Sequence, residues 1–308
     1  MGYRSGVQSQ WIGGSLQILP PAVQVLGNAY FVDATNGSNT ANSGSSWSDC
    51  LATVDAAVAK CTANQGDVIF MAPWHAESGA VAATAVATMD IAGVTLWGVK
   101  QGNQRPTFTF TEDDSLFSVT APNCRVHGIK IISAVIDQAV GLSAGALADG
   151  LEVDDCLFTD GAVALELVIG LQLAAACDGC YIHDNQFFTV DGGGCASAIK
   201  ILGESVRTII ANNVISGDYS VAGIDGATAL TTNIVIDGNM IDNLDPTAGL
   251  AIGLHANTTG IVTRNLTHGG KNTTAPVSAA ACMACENYAT TVEAESGNLC
   301  PAAGNWAA

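Results

Sequence analysis

Cys180-Tyr-Ile182-His-Asp-Asn185-Gln-Phe187 is one of six segments built alike. The others are Cys124-Arg-Val126-His-Gly-Ile129-Lys-Ile131, Leu151-Glu-Val153-Asp-Asp-Cys156-Leu-Phe158, Thr208-Ile-Ile210-Ala-Asn-Asn213-Val-Ile215, Ile234-Val-Ile236-Asp-Gly-Asn239-Met-Ile241 and Gly260-Ile-Val262-Thr-Arg-Asn265-Leu-Thr267. With the central aliphatic as register mark, the steps from Val126 through Val153, Ile182, Ile210 and Ile236 to Val262 are 27, 29, 28, 26 and 26 residues. A fixed period of this size marks a solenoid in which each repeat buries its apolar face against its neighbours.

Each segment also states its own conformation. Apolar or small residues stand two before the mark, at the mark and five after it, with polar residues between, which is strand alternation broken by one turn. Three after the mark, the last four segments carry Asn185, Asn213, Asn239 and Asn265. An Asn repeated there tolerates a left-handed bend and hydrogen-bonds the Asn above and below it. The ladder is expected to satisfy buried backbone groups rather than to do chemistry.

Outward from the repeats, four regions are expected. Residues 1–28 form an apolar arm whose contact residues are Ile12, Leu16, Ile18, Leu19, Pro20, Pro21, Val23 and Val25. Such an arm is sticky and has little structure of its own, so it points to attachment on another chain. Residues 29–67 supply the strand Tyr30-Phe-Val-Asp33, a polar loop and a helix capped by Ser48 or Asp49 and running to about Ala63, which would cover the open end of the coil. The coil itself spans 68–274, and 275–308 is read as a C-terminal cover or contact tail.

Composition removes several functions. Only 10 Lys and Arg stand against 28 Asp and Glu, a net charge of −18, and the basic residues are scattered singly, so no nucleic-acid partner is expected. No apolar run reaches about 18 residues, so no membrane partner is expected either. The start, Met1-Gly2-Tyr3-Arg4, has no charged stretch followed by an apolar core, and no secretory signal is expected. Of the ten cysteines, Cys124, Cys156 and Cys180 fall on inward positions and read as unpaired thiols. Cys177-x-x-Cys180 and Cys282-x-x-Cys285 have metal-like spacing, but zinc wants four ligands and only Cys300 and His268 could complete the second pair. No metal or cofactor is expected, and a disulfide among Cys282, Cys285 and Cys300 stays open.

The order Tyr30-Phe-Val-Asp33, Asn36-Gly-Ser38, Trp47, the helix, then Gly66-Asp-Val-Ile69 with Ala72-Pro73, joined to the Asn-bearing turns, resembles right-handed parallel β-helix proteins of the pectate-lyase-like superfamily. The resemblance covers about 29–274 and implies an all-β fold. It implies little about activity, because that superfamily holds lyases, hydrolases, phage tailspikes and non-catalytic virion proteins. The Tyr30-to-Pro73 opening followed by Trp74-His75-Ala-Glu77 also resembles, more loosely, short β-helix proteins encoded among phage structural genes.

For chemistry, the outward position after the mark makes a ladder of His127, Asp154, His183, Ala211, Asp237 and Thr263, with Asp155 and Asp184 next to it. Asp154, Asp155, Asp184 and His183 are the catalytic set if the chain is an enzyme, two carboxyls serving as acid and as base or nucleophile in glycoside cleavage. A lyase would want a basic residue beside them, and no Arg or Lys is expected in the patch. His75 is read as a hydrogen-bonded structural residue. The first expectation for function is therefore a non-enzymatic virion protein, a capsid decoration or head-surface component held by its arm and synthesised in the host cytoplasm. It would be a homo-oligomer, a trimer being one arrangement that the flat faces of side-by-side coils allow and the sequence does not demand. The alternatives are a carbohydrate-active tailspike or secreted polysaccharide hydrolase or lyase, and a non-cleaving adhesin.

Overall fold

Ile182 pairs in parallel with Val153 on one side and Ile210 on the other, and the same register continues Val126↔Val153, Ile210↔Ile236 and Ile236↔Val262. Every step counted along the sequence is thus one turn of a coil. The computed structural model describes residues 8–12, 15–19, 25–79, 85–99, 104–112, 115–190, 192, 194–247, 249–270, 275–291 and 294–300. Three sheets run along the coil, of ten, ten and eight strands, and the strands of each sheet come from successive turns. All the marks from Ile69 to Val262 are fully buried, as are Ile131, Phe158, Phe187, Ile215 and Ile241 of the second sheet and Leu142, Leu171, Ile199, Ile224 and Ile252 of the third. Each such aliphatic or aromatic side chain stabilises the coil by about 1.5–3 kcal/mol, so one continuous core holds the molecule along its axis.

The ladder forms as expected, with one correction. Asn185 donates from its backbone N (3.0 Å) and its Nδ2 (3.1 Å) to Asn213 Oδ1, and Asn213 and Asn239 repeat the pattern toward Asn239 and Asn265. The left-handed residue, however, is the one before each Asn: Asp184, Asn212, Gly238 and Arg264 have positive φ, as does Asp155 before Cys156 at the same place one turn earlier. The Asn itself is held by the buried amide bonds, and its neighbour takes the bend at the surface.

The coil also runs further than 274. Strands Val277–Ser278, Met283–Cys285 and Asn287–Thr291 extend the three sheets by one turn, and Asn287 adds a rung, accepting from Asn265 N at 3.0 Å. The step from Val262 to its partner Ala284 is shorter than the others and ends in a small residue, which hid it. Strand Ala294–Cys300 then folds back antiparallel on Asn287–Thr291. Within this tail Cys282 and Cys285 are free thiols, as are the buried Cys124, Cys156 and Cys180. The Cys300 side chain lies outside the described residues.

The opening module departs from expectation in its helix. Leu51 N donates to Phe31 O at 2.9 Å and Leu51 bridges Val32, so the chain is still extended where the helix was expected to be under way. The helix is Val54–Val58, capped by Thr53, whose hydroxyl accepts from Ala56 N; Trp47–Asp49 makes a separate 3-10 turn. Val54, Ala57 and Val58 enter the main core. His75 is structural as read: it is buried, its Nδ1 accepts from Ala34 N at 2.9 Å, and its Nε2 donates to Glu77 at 2.7 Å. Glu77 in turn accepts from Val54 N, the first donor of the helix.

In the arm, Gln8–Ile12 and Ser15–Leu19 pair antiparallel as a two-stranded sheet separate from the other three. Ile12, Leu16, Ile18 and Leu19 belong to it, and Pro20, Pro21 and Val23 lie outside the described residues. Val25 is not a free contact residue. It is buried in this chain's own second apolar cluster, with Ala29, Phe31, Cys50, Val68, Phe70 and Trp97, on the outer side of the first sheet's opening strands. No helix of the described chain is long and apolar enough to cross a membrane.

Candidate functional site

The outer face of the first sheet changes character one turn beyond that cluster. Trp97 closes the apolar layer, His127 stacks on it with ring centroids 3.6 Å apart, and Arg125 lies over the same indole at 5.3 Å. From there the sheet register sets two columns side by side. One holds Arg125, Glu152 and Tyr181, and the other holds His127, Asp154 and His183. Adjacent strands bring directly opposed side chains within about 5 Å, so the two columns form one cluster.

Asp154 is its centre. Arg125 grips it with two bonds, Nε to Oδ1 at 2.9 Å and Nη2 to Oδ2 at 2.8 Å, and His127 Nδ1 donates to Oδ2 at 2.7 Å. Burial pushes the Asp154 carboxyl up, but the bonds from His127 and Arg125 outweigh it and bring its pKa down to about 2. Arg125, held by the same carboxylate, stays protonated. His183 donates from both ring nitrogens, Nδ1 to Asp184 at 2.7 Å and Nε2 to Glu152 at 3.2 Å, while Tyr181 stacks on it at 3.8 Å. Burial lowers the His183 pKa, yet its bonds to Glu152 and Asp184 raise it above the ordinary imidazole value, and two donating nitrogens describe an imidazolium. Asp155 takes a bond from the buried Arg105 at 3.1 Å, and burial raises its pKa more than Arg105 lowers it.

The residues expected from the ladder therefore do come together: Asp154, Asp155, His183 and Asp184 share one patch. The expectation that no Arg stands there is wrong. Arg125 and Arg105 both enter it. Arg125 had a signal, since it is one before the mark, in the column shared with Glu152 and Tyr181. Arg105 had none, because it sits in a turn outside the repeated register. Asp237 belongs to the same outward column but two turns away, where it pairs with Arg264.

Glu152, Asp154 and His183 present ligand atoms within 4.8 Å of one another, the one group of described residues so arranged. A cation there would have to displace Arg125 from Asp154 and a proton from His183, so the donor set as built suits an ion-pair network better than a metal. Chemically the patch offers a carboxylate kept ionised, an imidazolium, a carboxyl tuned upward and an exposed Asp184, beside a half-exposed Tyr181 ring. A small recess lined by Phe158, Asp160, Phe187, Phe188 and Tyr219 lies at the corner of the second and third sheets and does not touch the patch.

Three parallel sheets, a buried Asn ladder and a polar outer face define a parallel β-helix. Among solved structures the chain is similar to the pectate lyase Pel9A, with 14% identity over 84% of this chain and 69% of that one, at a TM-score of 0.53. It also matches a rhamnogalacturonan lyase, with 13% identity over 85% of this chain and 87% of that one, at a TM-score of 0.45. No protein-family model matches the chain, and no curated protein sequence matches it.

Proposed function

We propose that this β-helix is carbohydrate-active and that its polysaccharide site is the outer face of the first sheet around Asp154, Asp155, His183 and Asp184. One observation carries the reading: three adjacent strands and the turns that follow them gather four carboxylates, two imidazoles and the Arg125 guanidinium on one sheet face, with Arg105 reaching Asp155 from a neighbouring turn, next to the half-exposed ring of Tyr181. Arg125 is held protonated, so it serves as a charge partner rather than as a base. Proton transfer falls to carboxyl groups, with Asp155, raised by burial, suited to donate and Asp184, the most exposed, suited to accept or to attack. The similarity to a pectate lyase supports the scaffold alone, since one fold hosts many chemistries. The test is reducing-end release from a panel of neutral and acidic polysaccharides. Wild type is expected to cleave at least one, and Asp155→Asn and Asp184→Asn to lose at least about 100-fold in rate. No cleavage by folded wild type on any of them would overturn the assignment.

A separate observation favours the second reading, a virion structural protein attached through its arm to a capsid or another virion protein. The strands Gln8–Ile12 and Ser15–Leu19 make a sheet of only two strands, apart from the coil, and such a hairpin is marginal by itself and gains from a partner surface. Because Val25 belongs to the coil's own packing, the informative deletion is 1–24. It should leave the solenoid folded by circular dichroism and abolish binding to particles, and retained binding would remove the arm's role.

A further inference from the structure

Cys177 and Cys180 stand at the turn that leads from the third sheet into strand Tyr181–His183. Their Sγ atoms are 3.1 Å apart, and both side chains are fully buried. The neighbouring turns explain the contact. At the corresponding places the chain carries Ala148 and Leu151 one turn before and Ser205 and Thr208 one turn after, and Thr208 Oγ1 donates to Ser205 Oγ at 3.4 Å. The coil brings the side chains at these two places together in the following turn as well. In the turn of Cys177 and Cys180 both are sulfur.

Zinc does not account for the pair, because no third Cys, His, Asp or Glu among the described residues joins it, and a structural zinc takes four ligands. Disulfide formation needs far less. A disulfide bond is about 2.0 Å long, so the sulfurs have to close by roughly 1 Å. The tip of the turn is on the surface, with Ala175, Ala176 and Gly179 exposed, so solvent lies one residue from each sulfur. The contact also differentiates the two thiols: a hydrogen bond from Cys177 holds the Cys180 pKa below the ordinary thiol value and leaves that of Cys177 raised. Cys124, Cys156 and Cys282, all buried, are instead pushed up by burial, Cys156 to about 12 and Cys282 to about 11.

We propose that Cys177 and Cys180 are a redox pair that a low-molecular-weight disulfide converts to an intrachain disulfide, stapling this turn. The Cys180 thiolate attacks one sulfur of the oxidant and releases one thiolate. Cys177, losing its proton, then attacks Cys180 sulfur in the mixed disulfide and releases the second. The protein's two sulfurs lose two electrons and two protons, and the oxidant becomes two thiols. The bond would close the turn immediately before Tyr181 and His183, so it would set where that strand enters the outer face.

The test uses the full chain, folded, incubated with oxidised glutathione or with dithiothreitol, then unfolded in an alkylating agent and weighed intact. The oxidised sample is expected to carry two fewer alkyl groups, and peptide mapping is expected to join Cys177 to Cys180. Cys177→Ser and Cys180→Ser should each abolish that linkage. Because mapping is done on wild type, it stands even where a variant fails to fold. Full alkylation of wild type after oxidation, a glutathione adduct that never resolves, or a linkage at other cysteines would each overturn the proposal.

Discussion

Asp154 is where sequence position and chemistry meet. Its side chain is only 7% exposed, and it survives there as an anion because Arg125 and His127 supply three hydrogen bonds. A carboxyl brought from its ordinary value down to about 2 contributes about 2 kcal/mol to folding at neutral pH. Asp154→Asn keeps the shape and removes the charge, so urea unfolding at pH 7 is expected to show a loss of about that size. The sign follows from the depressed pKa. The contribution is complete above the ordinary carboxylate pKa and is lost as pH falls through about 2, so wild type and variant should converge in acid. His183 runs the other way. Its raised pKa makes its contribution complete below about 6.5 and lost as pH rises through the folded value.

The Asn ladder is the element that ties one turn to the next. Asn213 Oδ1 accepts from Asn185 N and Nδ2, and Asn213 Nδ2 donates to Ile182 O at 3.0 Å, all without solvent. Asn213→Ala strands the Asn185 N–H and the Ile182 carbonyl in the core, and an unsatisfied buried group costs about 1–3 kcal/mol. A loss of about 3 kcal/mol is expected in urea unfolding. The helix Val54–Val58 teaches a related lesson about elements. Its apolar face was legible in Val54, Ala57 and Val58. Its start was not, because Leu51 is claimed by a backbone bond to Phe31, and that competition is invisible in local capping residues.

At the scale of the molecule, a net charge of −18 on an elongated coil sets a salt dependence. Like charges repel along the outer faces, and the Debye length shortens from about 30 Å at 0.01 M to about 8 Å at 0.15 M salt. The melting temperature is expected to rise with sodium chloride over that range by scanning calorimetry, and a fall would mean that the ion pairs around Asp154 and Asp237 outweigh the general repulsion. The coil could be read in the sequence because its two requirements are local: inward alternation within each strand, and an Asn at a fixed place in each turn. The last turn escaped because Ala284 makes a weak mark and the Val262 to Ala284 step is short. The outer patch was half legible. Asp154, Asp155, His183 and Asp184 follow from the register alone, whereas the state of each depends on a partner whose side chain arrives from another turn. Sequence by itself determined the coil, its core and its ladder, since a repeated pattern of burial is met only by stacking one turn on the next. Only the tertiary structure decided that Arg125 and Arg105 neutralise the acidic patch, because an ion pair is set by atomic distance and geometry across turns, which no local pattern encodes.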